Sequence, residues 1–188
     1  MISNVQVNQQ RGEYCMIIRY PIGAFVPIQI QSVDQRIQFI NLVSSHTFTL
    51  RSSIKALNSD QLRVPYRNGG WNIQQIIHHM ADNDMNAYLR FKRALTEHEP
   101  SAQSYREDMW AELNDYSDVP IETSILLLES LHSRFMVLLL GLPSDVFQRT
   151  LRTQALGVIS LDIALQRFNW HNQHHISQIK ALVDVMGW

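Results

Sequence analysis

Four segments of this chain repeat apolar residues at three- and four-residue spacing, and each is bounded by helix start or stop signals. Ile40, Val43, Leu50, Ile54 and Leu57, with Thr47 in register, form the first seam, over 33–58. Ser32 followed by Gln35 reads as its capping box. Asn72 with Gln75 opens a second helix, 73–96, whose broad face carries Ile73, Ile76, Ile77, Met80, Ala87, Phe91, Ala94 and Leu95. Pro120 suits the first turn of a third helix, 120–140, which Gly141 and Pro143 end. Its seam is Ile121, Ile125, Leu128, Phe135, Leu139 and Leu142, with His132 in register. Ser160 caps a fourth helix, 161–186, along which run Leu161, Leu165, Phe168, His175, Ile179 and Leu182. Four long amphipathic helices predict an all-α fold, a four-helix bundle with long helix–helix connections.

Between and before the helices the pattern changes. Residues 1–15 are polar and aperiodic and are expected to be a poorly ordered extension to a single domain over 16–188. Met16 to Pro27 reads as an extended N-terminal segment laid over apolar surface, because Pro21 and Pro27 oppose helix. His98 to Val119 is a long polar and aromatic connection with one short helical piece at Glu107–Leu113. Residues 143–159 form another connection, with one helical turn at Ser144–Phe147.

Charge and cysteine content narrow the function classes. The formal net charge is -1, and no run of lysine and arginine exists. That excludes an electrostatic grip on nucleic acid or an anionic membrane surface. The single cysteine, Cys15, permits no intramolecular disulfide and fits a reducing compartment. No run of ~18 apolar residues and no apolar leader core is present, so the expected location is cytoplasmic.

The chemistry-bearing feature is His171 and His175, four residues apart on one helical face, with a third histidine available from the His78-His79 pair. Three nitrogen ligands with one open position describe a catalytic metal site, whereas a structural site is closed by four ligands. His79 lies closer to the apolar face than His78 and shares a stripe with Asp82, Asn83, Asn86 and Arg90. Spacing favours it without excluding His78. His174 points roughly 100° away from its neighbours. Asp82, three residues after His79, is a candidate to orient an imidazole. Trp71 and Trp170 flank the ligand-bearing turns, where core packing is the favoured role and shielding of a metal the alternative. The residues between His171 and His175 are Asn172, Gln173 and His174, so the general-base glutamate of zinc peptidases is absent. One Glu-x-x-His pair, Glu129 and His132, falls short of a di-iron set and reads as a chance pair on a solvated edge.

Five motifs in order carry a family resemblance. They are Tyr20-Pro21-Ile22-Gly23-Ala24-Phe25, Tyr66-Arg67-Asn68-Gly69-Gly70-Trp71, His78-His79-Met80-Ala81-Asp82, Met85-Asn86-Ala87-Tyr88-Leu89-Arg90-Phe91-Lys92 and Trp170-His171-Asn172-Gln173-His174-His175. Over 16–188 the chain resembles the YfiT-like branch of the DinB superfamily. The resemblance implies a four-helix bundle, a homodimer, and one divalent metal per chain, zinc or nickel, held by His79, His171 and His175. Members look like metal-dependent hydrolases, and related ones are thiol S-transferases that use bacillithiol, mycothiol or another small thiol. One departure is Asp84, where similar sequences often carry histidine; it is expected to alter the charge near the pocket.

The expected function is therefore a metal-dependent enzyme with a small-molecule substrate. Three neutral imidazoles leave a divalent ion its full charge, which lowers the pKa of a bound water or thiol. With no glutamate in the motif, thiol transfer to an electrophile is favoured, with hydrolysis as the close alternative. A non-enzymatic, metal-stabilised dimeric module is the third reading. Arg90 shares the His79 stripe and Arg167 lies one turn before His171, which makes both candidates for a substrate-binding rim.

Overall fold

Each predicted long helix is present in the computed structural model, which describes residues 19–30 and 32–188. They are α1 (Val33–Ile54), α3 (Ile73–Thr96), α6 (Ile121–Leu140) and α7 (Leu161–Met186). The caps are those the sequence specifies. Ser32 Oγ accepts from the Gln35 N–H, and Asn72 and Gln75 close a reciprocal capping box at 2.8 and 3.0 Å. Ser160 Oγ accepts from the Ile163 N–H, and Gly187, at φ +68°, ends α7 in the left-handed conformation that glycine adopts freely.

The first helix is shorter than its seam suggests. Asn58 opens a capping box of its own with Gln61, which starts the four-residue α2 (Ser59–Leu62) and detaches Leu57 from α1. The connection after α3 holds two short helices, α4 (Glu107–Trp110) and α5 (Asn114–Asp118), where one piece is predicted. A 3-10 turn occupies Ser144–Gln148. The all-α reading omits a small three-stranded sheet: β1 (Ser101–Ala102) pairs parallel with β2 (Thr150–Thr153), which forms a hairpin with β3 (Gly157–Ser160). The extended reading of 16–27 falls partly on residues outside the description. Of the rest, Arg19 is helical and Tyr20–Gly23 form a turn before a run without regular secondary structure.

In the bundle, α1 packs on α6 and α7, and α3 packs on the same two helices. The order around the bundle is α1, α6, α3, α7. Consecutive long helices α1 and α3 therefore lie on a diagonal, as do α6 and α7. Short hairpin loops join neighbours, so these diagonal crossings require the long connections. Helix α6 is long and apolar enough to cross a membrane by composition, yet Ile125, Leu128, His132, Phe135 and Leu139 are buried against the other helices.

The core consists of two apolar clusters. One contains Leu50, Ile76, Ile77, Met80, Leu128, Ile176 and Ile179. The other contains Ile40, Val43, Phe91, Phe135, Leu139, Leu165 and Phe168. Between them every long helix contributes a buried polar group: His46, Asp84, His132, Asn169 and Asn172. His132 Nε2 donates to Asp84 Oδ2 at 2.7 Å, Asn172 Nδ2 donates to both Asp84 oxygens, and His46 Nε2 lies 2.7 Å from Asn169 Oδ1. One expectation is corrected here: His132 is not on a solvated edge. Asp84, at 0% exposure, is sealed inside this layer, and its charge still acts on Tyr105 at the cavity.

Candidate metal centre

Helices α3 and α7 carry His79, His171 and His175 to one place, with their nitrogen donors all within 4.8 Å of one another. His79 Nε2 and His171 Nε2 stand 3.1 Å apart. Nitrogens bound at ~2.0–2.1 Å to a shared tetrahedral zinc lie roughly 3.3 Å apart, so the spacing of this pair fits a common ion. Trp71 covers the cluster, 4.6 Å from the His79 ring and stacked on His175 at 6.3 Å. The loop that places it is tight: a Cβ on Gly70 would come within 2.7 Å of the Tyr66 ring.

Protonation also suits a metal. Burial lowers the pKa of His79 to about 4. Burial first, and then repulsion from the other imidazoles, pushes His171 and His175 well below the usual histidine value. All three are neutral near pH 7 and offer lone pairs. His175 Nδ1 donates to Gln178 Oε1 at 2.9 Å, which leaves Nε2 free for a ligand bond. His79 Nδ1 is buried without a hydrogen-bond partner. Asn83 Nδ2 donates to His171 Nδ1 at 3.0 Å, so the His171 proton sits on Nε2 here. Ligation through Nε2 requires the other tautomer, with the Asn83 amide turned to accept from Nδ1–H and its 3.3 Å contact to Asp84 given up.

The remaining predicted residues take separate places. His78 donates from Nε2 to the Val119 carbonyl and accepts at Nδ1 from Ser124 Oγ. His174 is buried, stacks on Trp170 at 4.9 Å and accepts from Gln178 Nε2. Both belong to the packing around the cluster. Asp82 makes no hydrogen bond to His79: its carboxylate accepts from Tyr116 Oη at 2.6 Å, and His79 Nδ1 has no partner. Gln178 and Asn83 contact the imidazole nitrogens instead, and the sequence reading names neither as an orienting residue. Gln178 also donates to the Arg19 carbonyl, and Gln166 grips both the N–H and the carbonyl of Ile28. The N-terminal segment is thereby strapped along α7. Arg90 and Arg167 both line a cavity of about 250 Å³ that reaches Asn83 and His171.

Two outcomes follow. Gln178→Ala should weaken metal affinity about 10–100-fold, read by competition with a chromogenic chelator, since the His175 ring loses its orienting acceptor. An unchanged affinity would remove Gln178 from the site. The second outcome concerns chelator-treated protein. A histidine whose folded pKa is depressed stabilises the fold fully above its unfolded value, here 6.5, and that contribution is lost as pH falls toward the folded value of about 4. Urea unfolding should therefore show His79 alone costing about 3 kcal/mol between those pH values. A His79→Gln variant with the same acid slope would contradict the assignment.

The comparisons with known proteins agree with this geometry. The model of the DinB superfamily matches residues 46–179. A Bacillus cereus protein named "Putative metal-dependent hydrolase" is 40% identical over 174 residues, which is 91% of this chain and 98% of the relative. A Bacillus anthracis protein of the same name is also 40% identical over the same length. Among solved structures, YfiT from Bacillus subtilis superposes with a TM-score of 0.88 at 36% identity, covering 92% of this chain and 99% of YfiT. It is described as "a probable metal-dependent hydrolase with an unusual four-helix bundle topology". The matched span, the identity and the shared bundle together place this chain in the DinB superfamily.

Proposed function

We propose that this protein is a metal-dependent enzyme in which His79, His171 and His175 hold one divalent ion, zinc or nickel, and a small thiol is activated to attack an electrophile. A divalent ion there supplies the positive charge that acidifies a coordinated thiol or water. The observation that carries the thiol reading is that no carboxylate hydrogen-bonds any of the three imidazoles among the described residues, Glu107 lining the same cavity as His171 without such a bond. Asp82 is engaged by Tyr116, and Asp84 is enclosed with His132 and Asn172. Hydrolysis calls for a group that moves protons during attack and departure, whereas thiol alkylation needs little such help. Neutral imidazoles leave the ion's charge undiminished, and Trp71 packs against His79.

Hydrolysis of an ester or amide is the second reading, favoured by the names of the relatives. The test gives the zinc- or nickel-loaded protein a small thiol and an alkyl halide, and follows the conjugate by mass spectrometry beside a chelated control. Conjugate formation that needs the metal is the expected result. Equal rates with and without metal across several thiols, together with metal-dependent ester hydrolysis, would replace it with the hydrolase reading.

A homodimer is proposed with this function. The neighbouring helices α1 and α6 leave Phe48 and Val137 each 75% exposed, and α6 also exposes Leu126 and Leu140. Light scattering should give twice the 21.8 kDa chain mass, and a monomer mass at micromolar concentration would count against it.

A further inference from the structure

The cavity beside His171 has apolar walls and a charged end. Phe91, Leu151, Ile159 and Phe168 form much of its wall, and the polar end is made by Arg90, Arg167, Tyr105 and Glu107. The two guanidiniums are poorly matched to the protein around them. Arg90 donates one hydrogen bond, to the Gln103 carbonyl, and has no carboxylate partner among the described residues. Arg167 donates none there; it stacks over Trp170 at 4.4 Å and over Phe25 at 5.5 Å. Each guanidinium carries five N–H donors, so most remain available. Burial pulls the pKa of both arginines down, with Tyr105 and Glu107 respectively opposing the shift. Tyr105 Oη is also buried without a hydrogen-bond partner.

Cations held half out of water with unused donors are costly unless an anion meets them. The local balance is two guanidiniums against the one carboxylate of Glu107, an excess of one positive charge. Planar guanidiniums pair best with flat, forked anions, and carboxylate is the singly charged one. Arg167 stands one helical turn before His171, about 6 Å along α7, and Arg90 three turns beyond His79, about 16 Å along α3. A ligand anchored by the arginines therefore runs back along the apolar wall toward the three imidazoles.

We propose that this cavity binds a small apolar-bodied carboxylic acid, its carboxylate held by Arg90 and Arg167 with the Tyr105 hydroxyl, and its body directed at the histidine cluster. As the substrate class of the enzyme, this assignment rests on the metal-centre reading above. As a binding site, it stands on the cavity alone.

The experiment uses full-length, chelator-treated protein, so that no acid can bind through a metal. Hexanoate and 4-phenylbutyrate are titrated calorimetrically beside their primary amides. The expected result is at least ten-fold tighter binding of each acid than of its amide, and loss of that preference in the Arg90→Gln, Arg167→Gln double variant. Arg106→Gln, an exposed arginine paired with Asp108, should retain it. Equal affinity for acid and amide in the wild-type protein would overturn the proposal without any need for a variant. So would the absence of measurable acid binding, or an acid preference that survives in a folded double variant. Failure of the metal reading would instead appear as missing metal or metal-independent turnover, neither of which enters this titration.

Discussion

Alanine at His79, at His171 or at His175 will reduce affinity for zinc or nickel by more than about 100-fold, because each removes a ligand where loss of an orienting neighbour alone costs 10–100-fold. Wild-type protein purified without chelator should carry about one divalent ion per chain, and each of the three variants should carry almost none. His78→Ala and His174→Ala should keep the ion. The nitrogens of His78 are committed to Ser124 and Val119, and His174 turns its ring onto Trp170 and Gln178. Elemental analysis after equilibration with metal separates the two groups. A His174→Ala protein as metal-poor as His175→Ala would show that the wrong face of α7 had been assigned. Wild-type protein that stays far below stoichiometry with added zinc or nickel would remove the centre altogether.

The largest effect on stability is expected from His132→Ala. Asp84 is fully buried, and His132 Nε2–H is its shortest hydrogen bond to a side chain of another helix. Without it the carboxylate keeps amide donors from Asn172 and the longer contact to Asn83. Breaking such a buried pair from one side costs about 3–5 kcal/mol, which lowers the melting temperature by roughly 6–20 °C in a domain of this size. Thermal and urea unfolding measure it directly. A loss below about 1 kcal/mol would mean that water or a shifted side chain replaces the missing donor.

Helices were legible because their seams and caps are local signals. The capping box at Asn72 and Gln75 and the α7 cap at Ser160 each lie within three residues of their partners. What helices pack against is not local. A seam says that one face is buried but not which neighbour covers it, so the diagonal placement of α1 and α3 could not be read from periodicity. The sheet was missed for a related reason. Its strands have two or four residues, and Ser101 pairs with Arg152 across fifty positions. At the metal centre, the i and i+4 spacing of His171 and His175 and the stripe of His79 were visible in the sequence. Their supporting partners were not. Asp82 and Gln178 each stand three residues after a histidine, and spacing alone cannot tell which one turns toward its ring and which is taken by Tyr116. The polar layer was hidden for the same reason: His132 read as half of a chance pair with Glu129, because its partner Asp84 lies on another helix.

That layer makes the alignment of the helices discrete. Sliding any one of them by a turn moves it about 5.4 Å. His46, Asp84, His132 or Asn172 would then enter an apolar cluster and lose its partner, while an apolar residue would take its place against a carboxylate or an amide. Oily surfaces alone tolerate such slippage, since one leucine layer resembles the next. A level of mutually dependent polar groups acts as a vernier, with one setting at which every mark coincides. His171 adjoins Asn172, and His79 lies little more than one turn from Asp84. The setting that satisfies the layer is thus also the one that brings the three imidazoles together, so the chain aligns its nitrogens by folding and before an ion arrives.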